Sequence, residues 1–396
     1  MQKPVLFRVT NNLDVGGVQR RLAAVLPLLA RTFEVHVVTY RGRGVFFDAL
    51  REQGVQTHFL PMRGKWSPAG IARLAAMFRS HGALVVHTHS LGANIPGMIA
   101  ARLAGVPVRV AQVHVAGNHW YARTALGRRK QAVQEALVHR LCTDRVLHVA
   151  EQSLEGFVRG TGLPRRMNAV LHNGVDFAAM LDQPVSNGSA PSSGPAPSIN
   201  PAGDVRAEFG IAPDEVLVGF VGRLATGKGV DFALDFMRRL HAVNPRARML
   251  LVGGGASDAG LARLRAEAAA IGDGRVVLLA GQRLDVQACY RAFDALLFPS
   301  EELAEGMPGV VLEACAFGLP VIARHTQPVR EIARYYDRIR FMDDDADPAT
   351  VLADALALPP SDGARFRDEF DIHAMARRSL DLYRAVLVEK GLDAPF

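Results

Sequence analysis

The chain has 396 residues, 49 % hydrophobic and 21 % charged, a length suited to two or three domains and a balance that excludes collagen, coiled coil and wholesale disorder. Its three cysteines, Cys142, Cys289 and Cys315, are far apart and odd in number, which excludes a disulfide framework or zinc knuckle and points to a reducing cytoplasm. The net charge of +7 is uneven: residues 1–182 hold 23 Lys and Arg against 10 Asp and Glu, the remainder 23 against 29, so the first half favours an anionic partner.

Short β-branched runs at residues 5–10, 34–39, 55–60, 84–87, 109–114 and 145–149 alternate with helical periodicity, clearest at 18–30 and 71–79. This predicts βαβ repetition and a doubly wound parallel sheet, whose ligands collect beyond the carboxyl ends of the strands. Arg8, Asn11 and Asn12 interrupt the first apolar run, so no signal peptide is expected. His87, His89, Arg102 and Arg109 break the stretch 83–115, so no membrane span is expected either.

The first strand runs into TNNLDVGGVQRR, where Gly16 and Gly17 precede a helix and let backbone N–H groups approach an anion at its positive end. The same pair also serves an ordinary tight turn. His114 ends the strand 109–114, where an imidazole can donate to a substrate oxygen, although a lone histidine is more often a structural residue. His87 and His89 are two apart with no acidic partner nearby, so no metal is assigned. In HWYARTALGRRK, Trp120 and Tyr121 precede Arg123, Arg128, Arg129 and Lys130, a pattern suited to an anionic membrane surface or to a solvated basic helix.

Residues 183–204 are a Pro/Gly/Ser/Ala tract too poor in apolar residues to pack, read as a flexible insert. Strand and helix patterns then resume, with strands at 216–221, 249–252, 276–279, 295–298 and 321–323, and helices at 231–241, 261–270 and 310–317. The strand 216–221 enters VGRLATGKGVD, which places Arg223 and Lys228 on a glycine-rich loop before a helix, a set suited to a diphosphate or to a solvated loop with incidental charges. In FPSEELAEGMPGVVLEACAFGLPVIA a strand ends at Phe298, a loop carries Glu305, and a helix entering near Pro308 carries Glu313. The two carboxylates can address different hydroxyls of one ligand, although a glutamate near a helix N-terminus also has a dipole explanation that needs no ligand. The stretch 372–390 is again helical in pattern.

Together, these residues resemble the retaining GT-B glycosyltransferases of family 4, in order along nearly the whole chain. Gly16 and Gly17 are similar to that family's N-terminal glycine loop, and His114 to its strand-end histidine. HNGVD at 172–176 matches the segment entering its interdomain linker, Arg223 and Lys228 its basic pair, Gly253 to Gly255 its glycine turn, and Glu305 with Glu313 its E-x₇-E signature. The resemblance implies an α/β fold of two Rossmann-like doubly wound domains facing a cleft. Residues 1–182 would form the acceptor-side domain, 205–371 the nucleotide-sugar donor domain, and 372–396 a helix crossing back onto the first.

It further implies transfer of a hexosyl group from a nucleoside-diphosphate sugar to a hydroxyl acceptor, a glycan or lipid-linked saccharide, with retention and without a metal or other cofactor. Glu305, His114, Arg223 and Lys228 would act in catalysis. Glu313, Gly306, Met307, Gly309, Val310, Gly16, Gly17 and Asn173 would bind the donor. The expected location is the cytoplasm, peripheral on the inner face of the membrane. A GT-B-like sugar-nucleotide epimerase or hydrolase shares these features and would consume donor without acceptor. A dinucleotide oxidoreductase lacks its G-x-G-x-x-G turn, and the scattered basic charge has no aromatic platform, so nucleic acid is not an expected partner.

Overall fold

The computed structural model describes residues 3–114, 124–181, 204–225, 227–255, 257–302 and 305–396. The chain divides into two compact units, Met1–Gly174 with Phe370–Phe396, and Val175–Glu369. The division falls inside the HNGVD segment. The insert up to residue 203, and Trp120, Tyr121 and Arg123 of the aromatic-basic segment, lie outside the described residues.

The first unit holds seven parallel strands: β1 Val5–Thr10, β2 Glu34–Thr39, β3 Gln56–Phe59, β4 Ala83–His89, β5 Val108–Val113, β6 Arg145–His148 and β7 Asn168–Val170. Their order is β3-β2-β1-β4-β5-β6-β7, so the winding reverses between β1 and β4. Burial on both faces explains the near-continuous apolar strands. Leu6, Val85 and Val110 pack on helices Gly17–Leu29 and Ile372–Glu389, while Phe7, Val9 and Val86 pack on helices Pro68–Ser80 and Leu91–Leu103. The C-terminal helix thus completes this unit. Lys390, just past its end, pairs at 2.7 Å with Asp144, which also takes a forked contact from Arg109.

The second unit holds β8 Val216–Val221, β9 Ala247–Val252, β10 Val277–Gly281, β11 Ala295–Phe298, β12 Val321–Arg324 and β13 Ile339–Met342, all parallel. The order β10-β9-β8-β11-β12-β13 reverses between β8 and β11. Val218, Leu251 and Leu297 meet Leu234, Met237 and Leu240 of helix Val230–Val243 in its core. Ligand sites in open sheets form where the order reverses, beyond the carboxyl ends of the strands.

Candidate active site

In the second unit, the loops leaving four strands are laced together at that reversal. The Gly222 amide donates to Val252 at 2.9 Å, Leu224 to Gly254 at 2.8 Å, Gly253 to Gly281 at 2.8 Å and Glu301 to Gly227 at 3.0 Å. Two positions admit no side chain. A Cβ on Gly253 would lie 1.7 Å from the Gly222 carbonyl oxygen, and one on Gly229, at φ +73°, would lie 2.2 Å from that of Pro299. The glycines therefore hold the β8 loop down against its neighbours. Arg223 leaves this floor beside Gly255, and Lys228 rises from the same loop.

Lys228 pairs with the Glu305 carboxylate, to which the Ser300 hydroxyl also donates at 3.2 Å. Both members of the pair are largely buried, at 15 % and 17 % side-chain exposure. Gly306 and Met307 are buried in the turn that leads to Pro308, the N-cap of helix Gly309–Ala316. The Gly309 and Val310 amides lie in its first turn, at the positive end of the helix. Glu313, on the same helix, accepts a 3.0 Å hydrogen bond from the Tyr290 hydroxyl, and the Tyr290 ring lies flat on Phe317 at 5.5 Å. Tyr290 and Ser300 are site residues that local spacing does not mark, because each meets its partner through the fold.

These strand ends carry Lys228 held by Glu305, an exposed Arg223 beside Gly255, the first-turn amides of helix Gly309–Ala316 and, on that helix, Glu313. Cations and amides suit a diphosphate; carboxylates accept from hydroxyls.

The first unit carries the other predicted residues, Gly16 and Gly17 after β1 at its own reversal, His114 after β5 and Asn173 after the edge strand β7. Gly16 caps helix Gly17–Leu29 in an extended conformation, and a Cβ on Gly17 would meet no atom within 4 Å, so packing does not explain this glycine. Asn173 is half-buried beside Gly174. His114 follows β5 directly, and its Nε2 lies 3.1 Å from Nδ1 of His89. His87, read as a metal candidate and set aside, stacks on His89 at 4.6 Å and bonds the Tyr383 hydroxyl at 2.7 Å. Burial, reinforced by the nearby Arg8 cation, pushes His114 down to about 3 and keeps it neutral at physiological pH.

The pattern described as "Glycosyl transferases group 1" matches residues 215–358, and that described as "Glycosyltransferase Family 4" matches residues 15–179. A putative glycosyltransferase EpsF of Bacillus subtilis (strain 168) is 26 % identical over 97 % of this chain and 94 % of its own. A 2-deoxystreptamine glucosyltransferase of Streptomyces kanamyceticus is 27 % identical over 96 % and 98 %. Among solved structures, Anabaena Alr3699/HepE in complex with UDP and glucose aligns at a TM-score of 0.77 and 16 % identity, over 96 % of this chain and 99 % of that one. WaaG, a glycosyltransferase involved in lipopolysaccharide biosynthesis, aligns at 0.65 and 18 % identity, over 96 % and 99 %.

Proposed function

The chain belongs to glycosyltransferase family 4, with the GT-B fold, and we propose that it moves a hexosyl group from a nucleoside-diphosphate sugar to a hydroxyl acceptor with retention of configuration. The observation that carries this reading is the strand-end crevice of the second unit, where Lys228, Glu305 and Ser300 form one cluster beneath the head of helix Gly309–Ala316. The HepE complexes with UDP and UDP-glucose support a uridine diphosphate sugar as the first donor to try. Arg223 and Lys228 neutralise the departing diphosphate, so no metal is needed for that charge. Glu305 orients hydroxyls of the transferred sugar, Glu313 holds the ribose, and the backbone of Gly306, Met307, Gly309 and Val310 borders the phosphates. On the first unit, His114, Gly16, Gly17 and Asn173 serve the transferred sugar and the phosphate end of the donor.

The test is turnover of a nucleotide-sugar panel with candidate acceptors, followed by proton NMR of the anomeric centre. A product of the donor's own configuration is expected. An inverted product, or donor isomerised or hydrolysed equally fast with no acceptor, overturns the reading.

A second observation bears on the acceptor. Helix Ala125–Cys142 turns Gln131, Glu135, Val138 and His139 inward and presents Leu126, Val133, Leu137 and Leu141 to solvent, the first at 78 % exposure. At 100° per residue these four share one face with the exposed Arg129, Lys130 and Arg140. An apolar stripe flanked by cations suits an anionic bilayer surface, and it supports a lipid-linked acceptor and a peripheral, inner-face location. No helix among the described residues is long and apolar enough to cross a membrane. The protein should sediment with phosphatidylglycerol vesicles at low salt and be released by high salt, and V133E/L137E should abolish sedimentation. Equal indifference to neutral and anionic vesicles would leave a soluble acceptor.

A further inference from the structure

Strand alternation builds a polar column on one face of the first sheet. Arg8 stands opposite His87 in the β1–β4 register, and His89 opposite Gln112 in the β4–β5 register. Leu6, Val85 and Val110 lie below them on the same face, in the apolar core. The column ends at His114, two residues beyond Gln112 and at the carboxyl edge of the sheet. Arg8 is 1 % exposed, and among the described residues no carboxylate pairs with it. A buried guanidinium without a counter-ion is costly, so what it does there needs an account.

Its hydrogen bonds have only one possible direction. A guanidinium donates and never accepts. Arg8 Nη1 lies 2.9 Å from His89 Nε2, so that nitrogen is the acceptor and carries no proton. A neutral imidazole then holds its proton on the other nitrogen. His89 Nδ1 lies 3.1 Å from His114 Nε2 and therefore donates to it. By the same step, His114 carries its proton on Nδ1. Protonating His114 at Nε2 would set two N–H groups against each other, and turning His89 round to relieve that would do the same against Arg8.

We propose that Arg8 and His89 are positioning residues that lock His114 as a neutral imidazole with its proton on Nδ1, a fixed hydrogen-bond donor at the end of β5. The titratable groups around the pair are Arg8 from β1, His87 from β4 and Tyr383 from helix Ile372–Glu389, and burial, then His87 and the arginine, disfavour charge on His89. The catalytic consequence rests on the glycosyl-transfer reading. As a leaving group departs from a sugar, positive charge grows on the ring. A cationic imidazole beside that ring would oppose the transition state, whereas a neutral N–H donor can hold a sugar oxygen without adding charge.

The tautomer is read directly from long-range proton–nitrogen NMR of the full chain labelled with ¹⁵N-histidine, with His114→Asn to assign the signal. From pH 5 to 8, wild-type His114 is expected to show a single neutral state protonated on Nδ1. His89→Leu removes the relay, and His114 should then populate both tautomers, while burial and the Arg8 cation keep it neutral over that range. His89→Gln keeps it, because an amide oxygen accepts from Arg8 while the amide nitrogen donates to His114. In turnover, His89→Leu should lose about 10-fold in kcat, and His89→Gln should restore both the rate and the single-tautomer spectrum. The proposal is overturned by a wild-type proton on Nε2, or by a folded His89→Leu variant whose His114 signal is unchanged. The wild-type spectrum alone decides the tautomer if that variant does not fold. Because the spectra need no substrate, they succeed or fail independently of the glycosyl-transfer reading.

Discussion

Lys228→Ala is expected to lower kcat about 10²-fold or more while leaving the protein folded, and Arg223→Ala to do the same. Lys228 sits on a loop whose backbone is fixed to two neighbouring strand ends, those of β9 and β11, so its ammonium is placed in advance rather than recruited. It is largely shielded from water, where a charge directed at a leaving diphosphate counts for more than in bulk solvent. The loss should therefore appear in turnover and not in stability. Its partner Glu305 keeps the Ser300 hydroxyl and some solvent contact after the substitution, so the melting temperature should fall by only a few degrees. On the proposed reading the two cations supply the neutralising charge, so EDTA should leave wild-type turnover intact. Strict dependence on Mg²⁺ or Mn²⁺ would contradict this part of the account.

The two carboxylates are expected to separate by kinetic effect. Glu313 is buried at the side of its helix and braced by Tyr290, which makes it a fixed acceptor suited to a ribose hydroxyl. Glu313→Ala should raise KM for the donor about 10-fold or more, the scale of a lost charged hydrogen bond, with a smaller change in kcat. Tyr290→Phe should give a weaker version of the same change. Glu305 lies in the loop before the helix and touches Lys228, so Glu305→Gln should act chiefly on kcat and on discrimination between donor sugars. Steady-state kinetics with two epimeric donor sugars checks both. If both glutamate variants handle donor as the wild type does, the crevice is not the donor site.

Much of the fold was legible because strands buried on both faces write themselves as unbroken apolar runs. The runs at 5–10, 34–39, 216–221 and 295–298 coincide with β1, β2, β8 and β11. Helix Leu91–Leu103 escaped notice because Pro96 and two glycines interrupt its periodicity, and packing against β4 and β5 overrides their propensity. β13 escaped because a short, partly exposed IRFM carries little hydrophobic signal. At the site, the order of motifs marked Arg223, Lys228, Glu305 and Glu313, and the structure joins Lys228 to Glu305 across 77 residues of chain. Tyr290, Ser300 and Arg8 carry no such mark. Arg8 in particular reads along the sequence as an interruption of an apolar strand. Its meaning lies across the sheet, in the register that sets it opposite His87 and within reach of His89.

On the proposed function, the second unit holds a nucleoside diphosphate through Arg223 and Lys228. Thermal unfolding of the full chain with a series of nucleoside mono- and diphosphates tests it most directly. One diphosphate, with UDP the first to try, should stabilise the protein by about 2.7 kcal/mol at 100 times its Kd, and its monophosphate far less at equal concentration. R223A/K228A should erase that difference. A wild type that no diphosphate stabilises beyond its monophosphate, or a double variant stabilised as fully as the wild type, would contradict the account.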